Sequence, residues 1–191
     1  IATMAPDGSF WMKELQAAAD EIERRTDGRV GLRFYPGGTM GSDTAVLRKI
    51  RIGQLHGGVF LSGGLATVHP DFELYNLPLL FRDFDEVDAV RRQMDPKLMA
   101  GLAEAGLTAF GISETGFTYL MSAAPTRSFE ELKGRKAWIP QDDMISLAIV
   151  EAAGLSPVPL PISDVLTGLQ TGLIDTVAAP PVGAIALQWF T

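Results

Sequence analysis

The chain has 191 residues, with 16 lysines and arginines against 23 aspartates and glutamates for a net charge of −7, and it has no cysteine. Hydrophobic residues make up 47% and charged residues 20%, a globular composition long enough for one large domain or two small ones. These facts exclude a disulfide framework, a thiolate zinc site and a cysteine nucleophile. His56 and His69, the two histidines, cannot build a multi-histidine metal site, and the acidic balance argues against nucleic acid as a partner.

In chain order, helical and strand periods alternate. Asp7 or Ser9 is placed to cap a helix bearing Phe10, Leu15, Ala18, Ala19 and Ile22, which ends at Asp27-Gly28. A strand is predicted over 30–35, then a Pro36-Gly37-Gly38 turn and a helix capped by Ser42 or Asp43 that bears Val46, Leu47 and Ile50. A short buried strand follows over 58–61, leading into the glycine-rich loop Ser62-Gly63-Gly64. Asp83 is expected to cap a helix through Val87, Val90 and Met94, and Asp95-Pro96 to start another that ends near Gly106. Strands are expected over 107–112 and 117–121, and residues 123–126 read as a crossing between domains.

Ser128-Phe129-Glu130-Glu131 has the form of a capping box. A strand over 135–139, a helix over 143–153, an extended stretch over 155–160, a helix capped by Ser163-Asp164 and a last strand over 174–178 complete the pattern. Strands alternating with helices of this length indicate an α/β architecture with a largely parallel sheet. No apolar run is long and uninterrupted enough to span a membrane, and no signal peptide opens the chain as given. Residues 1–4 read as the tail of a strand and residues 184–191 as an apolar segment with nothing to cover it, so a fragment is expected.

Enzymatic motifs are incomplete. The loop Gly37-Gly38-Thr39-Met40-Gly41-Ser42 meets neither nucleotide-binding fingerprint, and Ser113 lacks the second glycine of a nucleophile elbow. Asp142-Asp143 reads first as a helix cap, with a cation or amine site as the alternative. No cofactor or metal is implied. In open parallel sheets ligands bind at the carboxyl ends of strands, which nominates Ser62, Glu114, Phe117, Thr118, Trp138, Gln141, Ala179 and Pro180 as the lining of one shared cleft. Trp138 carries two readings, core residue or ligand platform.

Four segments carry a resemblance: residues 35–42 (YPGGTMGS), 77–81 (LPLLF), 129–136 (FEELKGRK) and, longest, 157–175 (PVPLPISDVLTGLQTGLID). Over essentially its whole length the sequence resembles the solute-binding proteins of tripartite ATP-independent periplasmic (TRAP) transporters. The resemblance implies a two-domain periplasmic-binding-protein-like fold, two α/β lobes around a cleft, divided here as 1–122 and 123–191 with the later segments of both lobes absent. It implies a periplasmic receptor, neither enzyme nor membrane-embedded, that captures a small organic solute and delivers it to a membrane permease. The family's carboxylate-clamping arginine corresponds to Trp138, a second arginine to Thr118, and an aromatic pocket residue to Ile162. Where the family has a polar run ending in asparagine, this chain has Val177-Ala178-Ala179 before Pro180. A carboxylate or a more apolar organic acid is the expected ligand. A ligand-sensing domain of a signalling system and an enzyme on a similar two-lobed fold are the alternatives.

Overall fold

The computed structural model describes residues 1–141 and 143–190. In the amino-terminal unit, helix α1 (Phe10–Arg25) starts where the Ser9 hydroxyl accepts the Met12 amide at 3.3 Å. Its buried residues are Met12 and Ala19, whereas Phe10 is 70% exposed, so the apolar stripe faces inward over a narrower arc than its spacing suggests. Helix α2 (Asp43–Arg51) is capped by Ser42 and buries Val46 and Leu47. Short helix α3 (Ser62–Ala66) and a 3-10 turn (Pro70–Asn76) lead to the long helix α4 (Phe84–Glu104), capped by Asp83 through the Glu86 amide.

Pro96 does not start a helix. It lies inside α4, because Leu98 and Leu102 are buried beyond it and carry the helix onward past one lost backbone hydrogen bond. Asp95, expected as a cap, instead accepts from Arg91 Nε at 3.0 Å and from the Tyr75 hydroxyl at 2.6 Å.

Strand structure in this unit is sparser than the sequence predicts. Ala2 forms isolated parallel bridges to Tyr35 and Gly58, and nothing more of the strands at 30–35 and 58–61 forms. Residues 107–112 form no strand. Leu107, Ala109 and Ile112 pack on the buried cluster of Phe72, Leu98 and Leu102, but no strand pairs with them among the described residues. A strand persists only where a ladder satisfies its amides and carbonyls.

The carboxyl-terminal unit is built on a four-stranded sheet in the order β1-β4-β2-β3. Its strands are β1 (Tyr119–Ser122), β2 (Lys136–Pro140), β3 (Ser156–Leu160) and β4 (Thr176–Ala179). β2 runs parallel to both β3 and β4, while β1 pairs antiparallel with β4. Helix α5 (Met144–Ala152) connects β2 to β3, α6 (Val165–Gln170) connects β3 to β4, and α7 (Pro181–Ala186) follows β4. The capping box survives around a single 3-10 turn (Glu130–Leu132), with Ser128 Oγ accepting the Glu131 amide at 3.4 Å and Glu131 reaching back to the Arg127 amide at 2.8 Å. The core of this unit gathers Trp138, Val165, Ile174, Val177, Ala179, Ala184 and Trp189. No helix among the described residues is long and apolar enough to cross a membrane.

Candidate functional site

A cleft of about 560 Å³ opens between the two units, within the size range of small-molecule sites. One wall comes from Met4, residues 6–9 and Gly37, the other from Ile162, Ser163, Leu166 and residues 186–189. The first wall follows the Ala2 bridge and is held by backbone bonds to the turn at 37–38. The Gly37 amide donates to Ala5 O at 2.9 Å, the Gly38 amide to Thr3 O at 3.1 Å, and Asp7 Oδ1 accepts the Gly8 amide at 3.0 Å. Ser9 then starts α1, so the amino end of that helix stands at the cleft.

The second wall follows the carboxyl ends of β3 and β4, as the rule for parallel sheets requires. At the end of α7 the Gln188 amide donates to Ile185 O at 3.1 Å and the Trp189 amide to Ala184 O at 2.9 Å. This is a Schellman motif, and Gln188 takes the left-handed position, with φ of 59°, where glycine is usual. The motif turns the Trp189 indole inward onto Ala184, into the core, while its edge lines the cleft.

Trp138 stands one layer behind that wall. It is 6% exposed, its Nε1 donates to Leu160 O at 3.0 Å, and its ring meets Trp189 edge to face. Of the residues nominated from the sequence, Ile162 lines the cleft. Ala179 is buried beside Trp138, and Pro180 precedes α7. The others lie outside the lining. Ser62 Oγ donates to Asn76 Oδ1 at 2.7 Å, and Phe117 packs on Phe84 with ring centroids 5.0 Å apart. Glu114 pairs with Arg91 Nη1 at 3.4 Å, while Arg91 Nη2 donates to Ile112 O at 2.5 Å, so α4 holds the segment that leads to β1. Thr118 and Gln141 are exposed.

Asp143 acts as a cap: Oδ1 accepts the Ser146 amide at 2.9 Å and Oδ2 the Ser146 hydroxyl at 2.7 Å. Asp142, its expected pair, lies outside the described residues. Asp43 leaves the capping of α2 to Ser42, turns inward and accepts the Leu61 amide at 3.1 Å. Burial pushes its carboxyl up to about 6, against the lowering effect of that amide. Among the described residues no group of three or more metal-ligating side chains converges.

The electrostatics of the cleft are one-sided. Among the described residues, Asp7 is the one ionisable side chain lining it. No lysine, arginine or histidine occurs before Lys13 or anywhere from Ala137 to Thr191, so neither main wall segment can supply a cation. The basic residue nearest in sequence is Lys13 on α1, while on the other side Arg135 precedes β2 and Lys136 begins it. There Arg135 Nη1 donates to Ser122 Oγ at 2.7 Å and Lys136 Nζ to Gly172 O at 3.1 Å.

Sequence reasoning missed Asp7, Ser9, Leu166, Gln188 and Trp189. Applying the strand-end rule to residues 1–4 would have found the first pair. Trp189 had no such signal, because its placement depends on a left-handed residue that is not glycine.

A mixed α/β chain with one open sheet and a cleft between its two units has the architecture of a binding protein. Residues 1–186 match the family of bacterial extracellular solute-binding proteins, family 7, and the chain belongs to that family of solute-binding receptors. It is 30% identical over 166 residues to the 2,3-diketo-L-gulonate-binding periplasmic protein YiaO of Escherichia coli (strain K12), covering 84% of this chain and 49% of that protein. It is 28% identical over 180 residues to the sialic acid-binding periplasmic protein SiaP of Vibrio cholerae, covering 92% of this chain and 55% of the relative. The chain thus spans about half the length of these curated relatives. A crystal structure of a TRAP periplasmic solute-binding protein from Xanthobacter autotrophicus Py2 with bound β-D-galacturonate superposes with a TM-score of 0.90 at 28% identity, covering 99% of this chain and 63% of that one.

Proposed function

We propose that the chain is the cleft-forming part of a periplasmic receptor that captures a small organic solute and hands it to a TRAP-type membrane permease. The observation that carries this reading is the cleft itself, built from both units at the strand ends and sized for a small molecule. The proposal divides the chain into lobes at 1–122 and 123–191. β1, at the end of the first segment, is built into the sheet of the second, and this fits a hinge at 121–126. Ile162, Leu166 and Trp189 are the proposed contacts, with Trp138 and Ala179 as the packing behind them. The reading is of a receptor and not an enzyme: a lone carboxylate at Asp7 offers no acid–base pair and no activated nucleophile.

The relatives named above carry sugar acids or sialic acid in their names. The test is a tryptophan-fluorescence titration with galacturonate, sialic acid and uncharged organic solutes, on the wild type and on Leu166→Trp, whose larger ring fills the cleft. Binding that saturates in the wild type and is lost in Leu166→Trp is the expected result. Saturable binding that Leu166→Trp leaves unchanged places the site elsewhere and overturns the proposal.

A further inference from the structure

We infer that helix α4 is a rail for the chain crossing between the units, with Arg91 as the positioning residue. Its grip fixes where the crossing leaves the first unit and so how the two cleft walls stand toward each other, an inference that rests on the cleft being the binding site. Residues 107–117 run back along α4 in the opposite direction. The Leu107 amide donates to Leu102 O at 2.9 Å, and Ile112 packs on the cluster of Leu98 and Leu102. Arg91 takes Ile112 and Glu114, and Phe117 meets Phe84 at the helix start. Positions 102, 98, 91 and 84 follow the spacing of one helix face. From 84 to 102 the helix rises about 27 Å, close to the roughly 33 Å that residues 107–117 span when extended. Two residues after Phe117, Tyr119 enters β1 and pairs with Ala179 of β4.

Arg91 is the grip in the middle of this rail, and it uses all three guanidinium nitrogens. Nε donates to Asp95 Oδ2 at 3.0 Å, Nη2 to Ile112 O at 2.5 Å, and Nη1 pairs with Glu114 Oε2 at 3.4 Å. The Tyr75 hydroxyl donates to Asp95 Oδ1 at 2.6 Å, so the carboxylate that aims the guanidinium is itself held. Among the described residues, the pair with Glu114 is the one ion pair that does not join positions three or four apart. The Arg91 side chain is 23% exposed, against 70–85% for Arg24, Arg25 and Arg82 in their local pairs. A charge-assisted bond to a carbonyl in a partly covered place holds better than such exposed pairs. The planar fork lets one side chain grip its own helix, a backbone carbonyl and a carboxylate at fixed angles, which a lysine cannot do. Because Phe117 is held and Tyr119 is already in the sheet, a shift at 112–114 passes to β1. From there it reaches the second cleft wall, which stands on the same sheet.

The experiment measures the distance between the units directly. These 191 residues contain no cysteine, so nitroxide labels can be placed at Ala18→Cys on α1 and Glu151→Cys on α5, an exposed position in each unit. Pulsed electron double resonance, without ligand, then gives the distance distribution in the labelled protein, in Arg91→Met and in Glu114→Gln. Two controls accompany them. Arg82→Met removes the same charge from an exposed pair beside the start of α4, and Val46→Ala weakens the buried face of α2 away from the crossing. Arg91→Met is expected to broaden the distribution at least about twofold. Glu114→Gln should broaden it less, because that carboxylate is 43% exposed, and both controls should keep the original width. An unchanged width in Arg91→Met overturns the inference. Equal broadening in either control overturns it too, since any loosening of the first unit would then have the same effect. If Arg91→Met does not fold, Glu114→Gln decides alone: a broader distribution supports the inference and an unchanged one overturns it. No ligand enters this measurement, so the receptor reading stands or falls separately on the titration of Leu166→Trp.

Discussion

The indole of Trp138 stands edge-on to that of Trp189, with ring centroids 5.1 Å apart and planes at 72°. Two aromatic residues distant in sequence thereby tie β2 to the turn after α7, and a strand residue that is fully enclosed supports one that lines the cleft. Trp138→Phe keeps most of the ring but strips the Leu160 carbonyl of its donor. A loss of about 1–3 kcal/mol in unfolding free energy is expected. Trp138→Ala removes the packing as well and should cost about 3–5 kcal/mol. Urea unfolding of both variants measures the difference. If Trp138→Phe matched the wild type, the Nε1 bond would carry no stability.

Asp43 makes stability depend on pH. Its folded carboxyl, pushed up to about 6 by burial, titrates well above its ordinary 3.8. Between those values the folded chain holds more proton than the unfolded one, so stability rises as pH falls from neutrality through 6 and levels off near 4. The gain is on the order of 2–3 kcal/mol at most. Glu21 acts in the opposite sense and lower down: its arginine partners Arg24 and Arg25 hold it near 2, so its contribution is lost only below its ordinary 4.5. Asp43→Asn keeps an acceptor for the Leu61 amide and removes the charge. It should flatten the dependence above about pH 4.5 and stabilise the protein at about pH 7.5. Unfolding curves across that window decide it, and an unchanged slope would assign the dependence to another group.

Local chemistry was legible in the sequence wherever a side chain acts on its own neighbourhood. Ser9, Ser42, Asp83 and Asp143 each cap the helix they precede, because a cap needs only the next three residues. Elements that depend on distant partners were not legible in the same way. Residues 30–35 alternate as a strand should, yet Tyr35 alone among them forms a bridge. Asp95-Pro96 has the form of a helix start, but Arg91 and Tyr75 claim the carboxylate and buried Leu98 carries α4 through. The strand-end rule nominated residues from Ser62 to Pro180 that do not line the cleft, whereas Ile162, which does, was pointed to by the family resemblance. The rule could not show that Trp138 faces the core, since alternation gives the two sides of a strand without saying which one is covered.

Neighbouring glycines in α3 are predicted to behave differently. A Cβ at Gly63 would meet nothing nearer than Asn76 Nδ2 at 3.6 Å. A Cβ at Gly64 would fall 2.4 Å from Asp43 Cβ, near the root of that side chain, where rotation cannot relieve the clash. Gly63→Ala should therefore stabilise the helix by roughly 0.5–1 kcal/mol through propensity alone. Gly64→Ala should cost about 1–3 kcal/mol despite the same propensity gain. Thermal unfolding of the two variants side by side is the measurement, and equal effects would mean that α3 and α2 do not approach each other this closely.

The free edge of β3 is protected by two prolines, and their spacing explains how. The Ser156 amide donates inward to Arg135 O at 2.7 Å, so by the alternation of a strand the nitrogens of 158 and 160 also face β2. Pro157 and Pro159 occupy the intervening positions, where an ordinary residue would present its N–H to solvent. No ladder bond is lost within the sheet, and the edge cannot donate to a strand of another molecule. Replacing both, as in Pro157→Val with Pro159→Thr, restores two outward amides on a strand of high β-propensity. The monomer fold should survive, with unfolding free energy changed by less than about 1 kcal/mol, because the inward bonds are untouched. Self-association should rise, read as concentration-dependent growth in light scattering and faster aggregation on mild heating. A double variant that stays as dispersed as the wild type would show that the prolines serve chain stiffness and not edge protection.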